Sequence, residues 1–186
     1  MVSDENATND TATIYAEVRR VVGYVPNYTR AFGARPAVYR AWQQLNGAIR
    51  AGSDLRRYEL ATLAAARKLR SSYCSLAHGK ILAERFLDEA QVAALPEGLS
   101  PADLAVMELA EKVVTDATSV TAPDIDRLKS FGLSDDEILD VVLAATARCF
   151  FSKTLDALGV QPDAAYAKLT PALRDVLTVG RAIEST

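Results

Sequence analysis

Apolar positions recur every three or four residues along nearly the whole chain, and no segment alternates at period two. That periodicity predicts helices without strands. Val38, Trp42, Leu45 and Ile49 form one stripe behind Pro36, which suits a first helical turn, and Gly52 stops the segment. Ser53-Asp54 caps the next helix, in which Leu55, Tyr58, Ala61, Thr62, Ala65 and Leu69 keep the period to about Arg70. Another helix begins near Ser71 or Ser72 and runs to about Asp88. Ser100-Pro101-Ala102-Asp103, Thr121-Ala122-Pro123-Asp124 and Ser134-Asp135-Asp136-Glu137 are three further starts, with stops at Gly132 and Gly159. Thr13–Val22 reads as a short helix ended by Gly23 and Pro26, and Pro171 interrupts a last helical stretch. The pattern predicts an all-α fold: a disordered polar leader over residues 1–10, then a single-domain helical bundle over 11–186.

One helix stands apart. Val141–Ala147 is apolar nearly all round, and Cys149, Phe150 and Phe151 follow closely. A helix apolar on every side must be covered on every side, so it is either central to the core or partly covered by another subunit. Closed off by Asp140 and Arg148, the run is too short to span a bilayer.

Composition narrows the classes. With 186 residues the chain suits one domain whose core needs no disulfide or metal staple. A net charge of −3 gives no reason to expect a nucleic-acid or membrane partner. Phe131-Gly132-Leu133-Ser134 looks like the bend of a helix-turn-helix. The following helix, however, opens with Asp135, Asp136 and Glu137, carboxylates where phosphates would have to lie. Two cysteines cannot build a disulfide framework, and Met1–Asp10 lacks the basic and apolar parts of a signal peptide. A cytoplasmic location is the expectation.

The candidate chemistry lies in Ser71-Ser72-Tyr73-Cys74-Ser75-Leu76-Ala77-His78, where the chain's only histidine follows a cysteine by four residues. One helical turn puts thiol and imidazole on the same face. A thiol needs a base or a positive neighbour to become the attacking thiolate, and the first turn of a helix favours negative charge. Buried structural cysteines and histidines produce the same spacing, so both readings stand at this stage. Glu59 is a third candidate. If the helices around residues 54–70 and 72–88 form an antiparallel hairpin, Glu59 and His78 are offset by only about 4–5 Å at roughly 1.5 Å per residue. The alternative for Glu59 is a solvated charge paired with Arg56, Arg67 or Lys68.

Glu59 followed by Ser71-x-x-Cys74-x-x-x-His78 resembles the signature of the carboxymuconolactone decarboxylase and alkylhydroperoxidase D-like superfamily. Tyr73-Cys74 and Ala77-His78 resemble its usual pairs, as do Gly23-Tyr24-Val25-Pro26-Asn27, Arg35-Pro36 and Leu155-Asp156-Ala157-Leu158-Gly159. The resemblance spans roughly residues 20–160 and implies an all-α subunit built around a helical hairpin, assembled as a homo-oligomer, trimer or hexamer. It further implies a peroxidase in which Cys74 attacks a small-molecule peroxide, His78 is its base and Glu59 completes a proton relay, without metal or organic cofactor. Ser71 occupies the place of the family's resolving cysteine. A sulfenic acid on Cys74 therefore requires an external thiol or thiol protein as reductant, or Cys149. Ser71 is left to cap its helix or to hydrogen-bond Cys74, with Tyr73 as a second supporting residue. Two other functions remain open: a decarboxylase-like proton-transfer enzyme acting on a small lactone or ring acid, and a non-catalytic scaffold whose site has decayed.

Overall fold

Six helix starts read from the sequence are helix starts in the computed structural model, which describes residues 1–185. In chain order the helices are α1 (Asn9–Val22), α2 (Asn27–Phe32), α3 (Pro36–Gly52), α4 (Leu55–Lys68), α5 (Ser72–Arg85), α6 (Glu89–Ala94), α7 (Pro101–Asp116), α8 (Ala122–Ser130), α9 (Asp135–Ala157) and α10 (Pro171–Leu177). Among the described residues there is no strand, and no helix is long and apolar enough to cross a membrane. Local chemistry explains the boundaries. Asp54 accepts the Arg57 N–H at 2.8 Å to start α4, and Ser134 and Glu137 exchange two bonds to start α9.

The centre of the bundle is α4. Tyr58–Ala66 are all buried, because α5, α7 and α9 close around the helix. Alanines at 61, 64, 65 and 66 let those neighbours approach closely. Arg70, at φ +57°, makes the left-handed turn that folds α5 back along α4 as a hairpin. The apolar helix α9 lies against α3, α4 and α7, with Val141, Ala144 and Ala145 buried. Its outer side stays open: Leu139 is 53% and Phe150 44% exposed.

Two expectations need correcting. Residues 1–10 are not a loose leader, since the Val2 N–H bonds the Arg30 carbonyl at 3.0 Å and Asp4 pairs with Arg19 and Arg30 at 2.6 and 2.9 Å. The segment's acidity, which suggested solvation, meets a basic face. Nor does the helix of His78 reach Asp88. It ends at Arg85, and Asp88 instead caps α6 through Gln91. The C-terminal segment then packs across the start of α5. The Gly180 N–H donates to Ser72 Oγ at 2.7 Å, and a Cβ at Gly180 would lie 2.0 Å from the Arg70 carbonyl oxygen. Leu177 of α10 fills the space above Gly79, where a Cβ would come within 2.4 Å of its methyl.

Candidate active site

Three helices aim polar side chains at a cavity of about 400 Å³ beside the start of α5. Cys74 comes from the first turn of α5 and His78 from the second; both line it. Glu59, from mid-α4, stands behind His78 and is only 1% exposed. Its Oε2 lies 2.5 Å from His78 Nδ1, so the α4–α5 hairpin brings the two together in the register counted from the sequence. Arg56 and Arg67, the alternative partners for Glu59, turn instead to Asp103 and to the Leu95 carbonyl. The other Glu59 oxygen lies 3.7 Å from Arg50, within ionic range but beyond a hydrogen bond.

The imidazole is committed at both nitrogens. Arg148 from α9 holds Nη1 3.2 Å from His78 Nε2, and a guanidinium can only donate. Nε2 is therefore the acceptor, and Nδ1 carries the proton that Glu59 accepts. This assigns a neutral His78 in one tautomer. Burial pushes the His78 pKa down, Glu59 pulls it back up, and Arg148 and Arg50 push it down again; the net direction is down. Among the described residues no hydrogen bond joins His78 to Cys74 in this resting arrangement.

Arg148 was read in the sequence only as the charge that closes an apolar run. Folded, it is buried at 3% exposure, with its plane over Trp42 and Phe151 at 5.1 and 5.6 Å to the ring centroids. Its Nη2 donates to Asn46 Oδ1 at 2.9 Å, which also accepts from the Tyr58 hydroxyl at 2.9 Å. Asn46, Arg50, Tyr58 and Arg148 were all missed. An arginine set between the apolar run 141–147 and Cys149-Phe150-Phe151 was the available signal, because such a charge must find partners within the fold.

The supporting residues divide. Tyr73 lines the cavity, but its hydroxyl donates away from it, to buried Asp163. Burial, with Asp163 beside it, pushes the Tyr73 pKa far up, so it remains a donor. Ser71 occupies the N-cap position of α5, yet its side chain makes no cap bond and its hydroxyl has no partner. Cys149 is a half-buried free thiol on α9 that does not line the cavity. Tyr28, Tyr39, Trp42, Phe151 and Tyr166 give the cavity an aromatic wall.

Residues 36–115, which include Glu59, Cys74 and His78, match the model of the carboxymuconolactone decarboxylase family. Among solved structures, a peroxidase-related protein from Ralstonia eutropha with an alkylhydroperoxidase AhpD core superposes at a TM-score of 0.76 and 23% identity, covering 88% of this chain and 90% of its own. A peroxidase-related protein from a Silicibacter species gives 0.77 at 18% identity over 90% and 89%. The debrominase Bmp8, in complex with 2,3,4-tribromopyrrole, gives 0.72 at 15% identity over 88% and 89%. No curated protein matches the sequence. At these identities the solved structures share the fold. The similarity to the carboxymuconolactone decarboxylase family is carried by residues 36–115.

Proposed function

We propose that the chain is a thiol-dependent hydroperoxide reductase that uses Cys74 as its single attacking cysteine. One observation carries the reading: Glu59 and His78 are joined at 2.5 Å, and Cys74 sits one turn before His78 on the same cavity. The Cys74 sulfur attacks the outer oxygen of a hydroperoxide, the O–O bond breaks, and the departing alkoxide takes a proton through His78 to leave as an alcohol. Cys74 is oxidised to a sulfenic acid while the peroxide is reduced by two electrons. An external thiol then attacks that sulfur and expels water, and a second thiol frees Cys74 as a disulfide departs. Glu59 holds the imidazole in the tautomer whose Nε2 accepts protons and steadies the cation formed on the way. The chain works as a homo-oligomer, with exposed Leu139 and Phe150 of α9 as the covered face; light scattering tests this.

The decisive experiment follows Cys74 oxidation by hydrogen peroxide and by cumene hydroperoxide in a Cys149→Ser background. Oxidation well above the free-thiol rate, slowed by His78→Ala and by Glu59→Gln, is expected. A free-thiol rate overturns the reading. The proton-transfer alternative is favoured by the absence of a His78–Cys74 bond at rest, which leaves the Glu59–His78 pair as the organised catalytic element. Turnover of a small lactone that survives Cys74→Ser would select it. Because a debrominase shares the fold, 2,3,4-tribromopyrrole belongs among the compounds offered to the thiol.

A further inference from the structure

Among the described residues Arg148 is the only lysine or arginine that the fold buries, and it forms no ion pair with a carboxylate. Its partners are an imidazole nitrogen, an amide oxygen and two aromatic faces, all neutral, and its Nε has no partner. Buried charges are ordinarily paired, because an uncompensated cation in a dry site forfeits its hydration. The cavity walls repeat the imbalance. They carry two guanidiniums, Arg50 and Arg148, and no carboxylate. Glu59 lies behind the wall 3.7 Å from Arg50, whereas Arg148 faces no carboxylate, so its charge is left without an ionic partner in a space lined with aromatic rings.

The same arginine occupies the lone pair that catalysis needs. With Nδ1–H given to Glu59 and Nε2 held by Arg148, His78 has no site to receive a proton from Cys74. An anion in the cavity changes that balance, since a carboxylate accepts two parallel guanidinium N–H bonds and adds a Coulombic attraction that a neutral nitrogen lacks. We infer that the cavity beside Cys74 binds the anionic group of a small aromatic acid through Arg148, and that this binding draws the guanidinium off His78 Nε2 and leaves the imidazole free to act as a base. Arg148 is then a positioning residue that responds to the ligand, and the preferred hydroperoxides carry a carboxylate on an apolar body. The release of His78 rests on the proposed function, whereas the anion site does not.

The molecule supplies its own reporters. Trp42 is the only tryptophan and stacks on Arg148, while His78 is the only histidine. Benzoate and benzyl alcohol, similar in shape and differing in charge, are titrated into the full chain while Trp42 fluorescence and the His78 ring-nitrogen NMR signals are followed. Benzoate is expected to bind at least ~10-fold more tightly than benzyl alcohol and to shift the His78 Nε2 signal. Arg148→Gln, which keeps neutral hydrogen-bonding capacity, is expected to remove that preference, and Arg50→Gln to reduce it. Equal binding of the two compounds, or no benzoate binding, overturns the anion site, and the wild-type comparison decides this even if Arg148→Gln fails to fold. Benzoate bound with His78 unmoved overturns the release. Neither readout uses peroxide, so failure of the peroxidase reading would show in the Cys74 oxidation experiment alone.

Discussion

Two buried carboxylates hold residues that line the cavity with Cys74, Glu59 through His78 and Asp163 through Tyr73, and their partners make them opposites. Asp163 accepts the Asn27 N–H at 2.8 Å and the Tyr73 hydroxyl, donors that stay neutral. It fastens the loop before residue 164 to the starts of α2 and α5. Glu59 faces an imidazole at 2.5 Å and a guanidinium at 3.7 Å, groups that carry or can take charge. A carboxylate saturated by neutral donors has nothing to exchange and serves as a fastener. One that shares a proton-bearing ring, itself held by a movable arginine, can take part in proton traffic. Burial alone therefore does not tell the two roles apart; the chemistry of the donors does.

The largest expected contrast is in rate. His78→Ala or Glu59→Gln should slow peroxide consumption by about 100-fold or more, the range that general acid–base groups contribute. Asp163→Asn, per folded molecule, should change it by less than about 3-fold. Steady-state assays with a saturating external thiol compare the three, and equal losses would erase the distinction. Stability should run the other way. Asp163→Ala strands a buried N–H and a buried hydroxyl, for a loss of about 2–3 kcal/mol in urea unfolding. Glu59→Gln, which retains an acceptor for His78, should cost less than Asp163→Ala.

The pH dependence should separate the two sides by sign. The pKa of His78 is lowered by folding, chiefly through burial. The unfolded chain therefore binds that proton first as pH falls below about 6.5, and the stability tied to His78 is full above this range and lost as pH drops through the folded value. Burial raises the pKa of Asp163, against the pull of Tyr73, Asn27 and Tyr24. Its stability contribution is present below the ordinary carboxylate range and lost as pH rises through the raised value. Unfolding of the wild type against His78→Gln and Asp163→Asn, across pH 4 to 7, should give differences of opposite slope, neither steeper than about 1.4 kcal/mol per pH unit. The smallest effect belongs to Ser71. With no cap bond to lose and a buried hydroxyl left unpartnered, Ser71→Ala should leave stability unchanged or raise it by up to about 1 kcal/mol in the same urea measurements.

Much of this architecture was legible because helix periodicity, proline and glycine punctuation, and capping residues act within a few positions of one another. The pairing of Glu59 with His78 could be counted because a hairpin of two helices fixes register from the bend outward. The enclosure of α4 was not legible in the same way. Apolar content singled out α9, as a central helix or one partly covered by another subunit, whereas α4, with Arg56, Arg57 and Glu59 among its residues, is the one buried all round along Tyr58–Ala66. Small alanines admit neighbours on every side, a property that hydropathy does not register. The leader failed as well, because its partners, Arg19 and Arg30, lie on two helices whose mutual placement the local pattern does not give.

By itself the sequence determined most of the helices and several of their caps, and it made the nearness of carboxylate to imidazole countable once an α4–α5 hairpin was supposed, since each depends on local chemistry or on rise per residue. Only the tertiary structure decided that Arg148, seventy residues from His78, would occupy the base's lone pair, that Asn46 and Tyr58 would hold that arginine, and that Tyr73 would turn from the cavity to Asp163. Those contacts join α3, α4, α5, α9 and the loop after α9. They arise from how whole helices settle around α4, where packing shape and the need to partner buried charge outweigh any preference written into neighbouring residues.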